Sequence, residues 1–336
     1  MTPFFAAINP YWGKNFFSFF WVFFHRMSLL CQGKLPIKDL ASDEIQFFVL
    51  GLVALSSALI GAFLVLKKMT MLANSLSHTI LLGIIISYLI VSSVSGGSME
   101  LLDGISLQVL IIASLITALL TAVLTQGLTH LMKLQEDASI GLVFTTLFAL
   151  GIVLATIFTR NTHIGTEAIM GNVDALHIHD LKLISVIAAI DFLVVFFLFK
   201  EFKMVAFDGA LTRALGFSPS LFNYLLMVLT AATVIGAFRA VGVLLVLAFL
   251  VGPVLTARLL THSLKKMMAL SVIIGLLCSL CAIALSRHLL SVCRMPLSTA
   301  GLVVTLMGVA YLLAILFAPE QGIIPKWRNR RRCQIL

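Results

Sequence analysis

Residues 45–66 read IQFFVLGLVALSSALIGAFLVL, a continuous apolar run without a charged side chain. A helix rises about 1.5 Å per residue, so a segment of about 20 residues matches the roughly 30 Å hydrocarbon core of a bilayer. Hydrocarbon offers no hydrogen-bond partner to a backbone N–H or C=O, and a single segment satisfies its own groups only as an α-helix. The run therefore predicts a membrane-spanning helix.

Similar runs recur along the chain and predict further spans at 76–94, 105–126, 139–159, 181–199, 221–237, 240–260, 267–290 and 298–317. Hydrophobic residues make up 60% of the sequence and charged residues 11%, with a mean hydropathy of +1.11. Soluble domains are about half apolar and one quarter charged, so this composition excludes them. We predict an all-α polytopic transmembrane bundle of about eight or nine spans, the count depending on residues 221–260.

The basic residues orient the predicted spans. The net charge is +9, and most Lys and Arg residues outside the N-terminal tail lie in short connections on one side, including Lys67, Lys265 and the tail 326–332. The positive-inside rule places this side in the cytoplasm and the start of the first span outside. Basic residues confined to loops do not form a face for nucleic acid, so no nucleic-acid partner is expected.

The sequence divides into an N-terminal tail, 1–44, a transmembrane permease domain, 45–317, and a basic cytoplasmic tail, 318–336. Residues 16–24 are almost purely aromatic and apolar, yet too few to cross a bilayer. An interfacial segment, a mis-assigned start and a signal peptide all remain open, although no small-residue cleavage site follows.

Polar groups inside predicted spans are candidate transport residues, because their burial in a membrane is costly. Asn74 and His78 are four residues apart and share one helical face. An imidazole and an amide oxygen can coordinate a divalent cation. Asp191 lies in the middle of another span. The alternative for His78 and Asp191 is a hydrogen bond to a neighbouring helix.

The outer connection 160–180 contains the candidate entrance residues Glu167, Asp174, His177 and His179. Histidine and carboxylate ligands suit transition metals, and the negative charge of the carboxylates would attract cations. A solvated loop has the same composition, so both interpretations stand at this point.

The sequence has no G-x-x-x-x-G-K-[ST], H-E-x-x-H or G-x-S-x-G motif. These motifs place phosphate-binding, zinc-binding and nucleophilic groups in enzymes. We therefore expect no enzymatic activity, and any ATP hydrolysis that drives transport must occur in a separate subunit.

The inner connection 200–220 contains a short amphipathic stretch, in which Phe207, Leu211, Ala214 and Leu215 share one face. Such a helix can rest on a membrane or on a partner protein.

Several stretches resemble the membrane permeases of ABC importers for manganese, iron and zinc, the ABC-3 family. They are residues 61–69 (GAFLVLKKM), 75–83 (SLSHTILLG), 136–143 (EDASIGLV), 167–174 (EAIMGNVD) and 241–258 (VGVLLVLAFLVGPVLTAR). The resemblance runs from about residue 45 to 317. This chain has Asn74 where the family usually has Asp.

The resemblance implies an ATP-driven importer of Mn, Fe or Zn in the bacterial cytoplasmic membrane, with no permanently bound cofactor. Its partners would be a cytoplasmic ATP-binding subunit, an extracytoplasmic metal-binding protein and a second permease chain, identical or homologous. Residues 207–217 resemble the element that docks in the ATPase cleft, which implies contact roles for Phe207, Asp208, Ala214 and Gly216. It also implies that His78 and Asn74 hold the metal.

Two other classes of membrane protein compete with this interpretation. A secondary transporter driven by an ion gradient would use Asp191 and His78 as a proton-linked pair. A membrane anchor or receptor would transport nothing. ATP-dependent uptake that requires a separate ATPase distinguishes the importer from both.

Overall fold

A computed structural model of the chain describes residues 9–34, 36, 39–94, 107–158, 173–176, 178–319 and 322–325. Throughout these ranges the chain forms helices joined by turns and short connections, and contains no strand. The predicted all-α class is therefore confirmed.

The described helices follow one another along the chain with few intervening residues. They are α1 (Phe16–Cys31), α2 (Ser42–Leu66), α3 (Thr70–Val94), α4 (Leu107–Leu131), α5 (Glu136–Phe158), α6 (Ile178–Phe197), α7 (Phe199–Phe207), α8 (Gly209–Ala214), α9 (Pro219–Val241), α10 (Val243–Leu260), α11 (Leu264–His288) and α12 (Thr299–Phe317). A short 3₁₀ turn covers Val173–Ala175, and a π turn at Leu289–Cys293 follows α11.

Within each of the predicted spans the described residues form a helix, apart from span ends, the break at Gly242 and the bend at Leu198. Among the described residues, six helices are long and apolar enough to cross a membrane, or seven if the bent pair Asp180–Phe197 and Phe199–Phe207 is one span. The expectation of about eight or nine spans is slightly higher. Helices α3 and α4 are each 25 residues long but are not among the six, and both contain side chains outside the described set.

The connection between α9 and α10 is a single glycine. Gly242 has φ of +86°, a left-handed conformation that a residue with a Cβ adopts only under strain. Both flanking helices qualify separately as spans, through Pro219–Phe238 and Val243–Leu260. Residues 221–260 therefore contain two helices, and the break between them falls at Gly242.

The chain forms two compact units, which are described separately. One contains Met1–Ala58, Asn172–Ala188 and Ala248–Leu336. In it, α11 packs against α12 and α1. A Cβ on Gly275 of α11 would lie 2.9 Å from the Cβ of Ala54, so the absence of a side chain permits the close approach of α11 to α2.

The other unit contains Leu59–Gly171 and Ala189–Leu247. Its core is formed by α3, which packs against α4, α5 and α9. A tight turn at Lys68, with φ of +60°, leads into α3. Lys67, next to this turn, donates a hydrogen bond from Nζ to Asn223 Oδ1 on α9 and so fixes the start of α3.

Candidate functional site

His78 and Asn74 lie one turn apart on α3, and both are half-buried. The His78 ring contacts two aromatic rings of α5, with centroids 5.5 Å from Phe144 and 5.2 Å from Phe148. Those two rings are themselves stacked, 5.7 Å apart. The aromatic pair restricts the orientation of the imidazole, which remains partly accessible, as a ligand must be.

Two ligands from one helix do not complete the coordination of a divalent cation. Zn²⁺ takes about four ligands and Mn²⁺ about six. No three His, Cys, Asp or Glu side chains converge anywhere within the described part of the chain. Water or groups from another chain would have to supply the remaining positions.

Asp191 is fully buried on α6 and contacts α9. Its Oδ2 accepts a hydrogen bond of 2.7 Å from Oγ1 of Thr233. The same hydroxyl lies 3.0 Å from the carbonyl oxygen of Leu229, one turn earlier in α9. This arrangement favours the role of an interhelical partner, one of the two alternatives that the sequence left open.

The predicted outer entrance is only partly described. Glu167 and His177 lie outside the described residues, as does the side chain of His179. Asp174 lies in the 3₁₀ turn, where its Oδ1 accepts a hydrogen bond of 2.5 Å from Oγ1 of Thr299. Of the four candidate entrance side chains, the structure therefore describes only that of Asp174.

Asp174 lines a cavity of about 270 Å³. Other polar residues of its wall are Asp43, Gln46, Arg287 and Thr299. Asp43 is 1% exposed and forms an ion pair with Nε of Arg287, which neutralises its charge. The cavity thus keeps one net negative charge, on Asp174, beside amide and hydroxyl oxygens. Such oxygens suit hard divalent cations.

A buried ionic cluster lies beside this cavity wall. Glu44 in the first turn of α2 is 0% exposed and pairs with Nε of Arg26 in α1. Tyr11 donates a hydrogen bond of 2.7 Å to Glu44 Oε1, and Ala41 donates its N–H to Oε2 at 2.9 Å. Asn9 donates to the neighbouring Asp43 at 3.1 Å.

This cluster sets the protonation of its members. Burial, with the hydrogen bond to Glu44, raises the pKa of Tyr11 far above its ordinary value, so the phenol remains a donor. The bond to Glu44 likewise raises the pKa of Arg26. Sequence reasoning missed the cluster. The available signal was the pair of carboxylates at Asp43 and Glu44, immediately before an apolar run.

The inner segment turns away from α6. The axes of Asp180–Phe197 and Phe199–Phe207 differ by 71°. Phe202 of α7 is 3% exposed and fixes α7 on its unit through ring contacts with Phe63 at 5.3 Å and Phe222 at 5.8 Å.

The predicted contact residues follow this buried anchor. Asp208 separates α7 from α8, and its Oδ1 caps α8 by accepting from the N–H groups of Ala210 and Leu211 at 2.9 and 3.0 Å. Gly216 follows α8 with φ of +86°. The turn at the other end is made by the extended backbone of Asp208, whose φ is −148°. An aspartate caps a helix through its carboxylate without needing a glycine there.

The segment from Phe207 to Leu215, which contains α8, presents apolar side chains to its surroundings. Phe207 is 65% exposed, Leu211 50% and Leu215 56%, and Ala214 is exposed beside them. Thr212 alone among the side chains of α8 is fully buried. The four side chains of the predicted amphipathic face are thus all exposed, on and beside a short, capped helix.

A comparison with family models matches residues 45–318 to the ABC 3 transport family. A protein of Chlamydia muridarum described as a probable metal transport system membrane protein is 43% identical over 308 residues, 92% of this chain and 94% of that protein. The manganese transport system membrane protein MntD of Bacillus subtilis is 35% identical over 288 residues, 82% of this chain and 92% of MntD.

The fold has a counterpart among solved structures. The structure of PsaBC from Streptococcus pneumoniae in complex with Fab matches with a TM-score of 0.65 and 24% identity. The match covers 82% of this chain and 91% of that chain. At this identity the likeness concerns the fold.

Proposed function

Because this multi-pass membrane protein belongs to the ABC 3 transport family, we propose that it is the permease subunit of an ATP-driven importer that moves Mn, Fe or Zn across the bacterial cytoplasmic membrane. The names of its relatives support a metal as the transported substrate. ATP hydrolysis takes place in a separate cytoplasmic subunit, and the metal is cargo rather than a resident cofactor.

The observation that carries this proposal is the exposed helix α8. A secondary transporter needs no docking element for an ATPase, whereas an ABC permease must transmit movement from one. Helix α8 is short, capped by Asp208, ended by Gly216 and apolar on its exposed face. Its anchor α7 is fixed by Phe202, so a force applied to α8 reaches the end of α6 as a rigid-body movement.

Two glycine variants test this coupling. Adding a Cβ at Gly216 or at Gly209 meets no atom within 4 Å, but only Gly216 has a positive φ. Gly216→Ala therefore strains the end of α8 by about 1 kcal/mol, while Gly209→Ala does not. We expect Gly216→Ala to lower metal-dependent ATP hydrolysis of the reconstituted complex roughly fivefold, since 1 kcal/mol changes a population by about that factor.

Gly209→Ala is the matched control and should keep wild-type coupling, because alanine favours a helix. Equal rates of metal-dependent ATP hydrolysis in the two variants would contradict the docking role of α8. Thermal unfolding of each purified variant separates this effect from a general loss of stability.

We assign the transport pathway to the α3 pair. His78 supplies a nitrogen and Asn74 an amide oxygen on one partly accessible face. Since two ligands are too few, a second permease chain or water completes the site when the metal is bound. A pair of chains with α3 facing its counterpart would double the ligand set.

The cavity beside Asp174 is proposed as the outer entrance, where an extracytoplasmic metal-binding protein delivers its cargo. Its single net negative charge and its oxygen-rich wall support this role. Glu167, His177 and His179 remain proposed members of the same entrance.

Asp191 gives a further prediction within the same unit. Asp191→Asn is expected to keep metal uptake within about twofold of wild type, because the amide oxygen can still accept the hydrogen bond from Thr233. Uptake into vesicles measures the effect. A loss of uptake in a variant that unfolds at the wild-type temperature would instead place Asp191 in the pathway.

The function as a whole is tested by reconstitution. Vesicles that contain this chain, its ATPase and its binding protein should accumulate radioactive Mn²⁺ only when ATP is supplied. Gradient-driven uptake by this chain alone would overturn the proposal in favour of a secondary transporter. Competition by Zn²⁺ and Fe²⁺ in the same assay identifies the preferred metal.

A further inference from the structure

Helix α1 has two faces of different exposure. Phe19 is 1% exposed and Phe23 3%, so one face is buried against the protein. On the other face Phe17 is 84% exposed, Trp21 73% and Phe24 61%. A patch of large aromatic side chains on a protein surface indicates an interaction site.

The buried face attaches α1 to the ends of two membrane spans. The Phe23 ring lies 5.0 Å from that of Phe47 in the second turn of α2, and Arg26 pairs with Glu44 in its first turn. Helix α1 also packs against α11, which ends at His288. The start of α2 and the end of α11 lie together, because Asp43 in the first turn of α2 pairs with Arg287 in the last turn of α11. Helix α1 therefore lies at the level where these spans leave the hydrocarbon core.

The length and composition of α1 fit this level. It has 16 residues, fewer than the roughly 20 that a crossing requires. Phenylalanine and tryptophan on one face are typical of helices that lie in the membrane interface. Lys14 is exposed before the helix, and the exposed His25 stacks on Trp21 with ring centroids 5.7 Å apart. These groups can meet lipid phosphates.

We propose that α1 lies in the interface of a phospholipid bilayer, with Phe17, Trp21 and Phe24 inserted at the boundary between headgroups and acyl chains. Lipid is the occupant because the ion pair of Arg26 with Glu44 holds this face at the edge of the membrane that α2 crosses. The proposal depends on the membrane location of the chain and not on the transported substrate, so its test needs no transport.

Tryptophan fluorescence tests the proposal on the full chain in phosphatidylcholine vesicles. The sequence has three Trp residues. Trp12→Phe with Trp327→Phe leaves Trp21 as the only emitter. The vesicles contain phospholipids with bromine either near the headgroup end of the acyl chains or near their terminal methyl groups. We expect the shallow bromines to remove about half or more of the Trp21 emission, because interfacial helices are buried about 5–10 Å into this boundary. The deep bromines should remove less.

Three other results would overturn the proposal. Strong quenching by aqueous iodide without quenching by bromolipid would place Trp21 in water. Stronger quenching by the deep bromines would indicate a helix that enters the hydrocarbon core. Protection from both quenchers, with emission that changes as the protein is diluted in lipid, would show a second copy covering this face. A Phe17→Ser and Phe24→Ser variant in the same background should show weaker bromolipid quenching, since less apolar surface remains to insert.

Discussion

His78→Phe is expected to stop metal uptake while leaving the fold intact. Phenylalanine keeps a ring against Phe144 and Phe148, so the packing of α3 on α5 is preserved, but it removes both ring nitrogens. The loss should exceed tenfold, because weakening even an outer partner of a metal ligand costs about 10–100-fold in affinity or activity. Uptake of radioactive Mn²⁺ into vesicles that contain the complete transporter measures it.

The matched control is a second His→Phe substitution. His25→Phe on α1 changes an exposed histidine that we place outside the pathway, so its uptake should equal that of the wild type. His78→Ala should lose uptake as well, and should also lower the unfolding temperature because the ring contacts disappear. Wild-type uptake by His78→Phe would show that the His78 ring only packs between helices.

Arg26→Met is expected to produce the largest loss of stability. It leaves Glu44, which is 0% exposed, without its cationic partner, although Tyr11 and the N–H of Ala41 still donate to it. Breaking a buried pair on one side costs about 3–5 kcal/mol. Since the Arg26 side chain is 20% exposed, we expect about 3 kcal/mol, at the lower end of that range. Chemical unfolding of the purified chain in detergent measures this free energy.

The double variant Arg26→Met with Glu44→Gln is the control for this prediction. Without a charge at position 44, no uncompensated charge is buried, and the amide oxygen introduced there can still accept the hydrogen bond from Tyr11. Most of the lost stability should therefore return. If the single variant unfolds like the wild type, the pair with Glu44 does not hold α1 in place.

The helical framework could be predicted from local sequence. Apolar runs such as 45–66 correspond to helices. Both the hydrocarbon of a bilayer and the core of the protein favour apolar side chains, and a segment surrounded by them must satisfy its backbone N–H and C=O groups internally, as a helix does. The exposed apolar face of α8 also followed from spacing alone. These features depend on residues close in sequence, which a single chain reveals.

Contacts between distant residues could not be predicted in this way. Asp191 and Thr233 are 42 residues apart, and nothing in either neighbourhood identifies the other as its partner. The break at Gly242 depends on backbone conformation, which Gly permits but does not impose. For residues 16–24 the sequence left an interfacial segment, a mis-assigned start and a signal peptide open, because the attachment of this segment requires Arg26 and Glu44 to meet across a connection.

The ion pair between Asp43 and Arg287 also has a consequence for biogenesis. These residues are 244 positions apart, so Asp43 leaves the ribosome long before its partner exists. At about 5–20 residues per second, the delay is roughly 12–50 seconds. During this interval the start of α2 carries a carboxylate without its arginine, and only the insertion of α11 late in translation neutralises it. Assembly of this end of the protein is therefore one of the last steps in its synthesis.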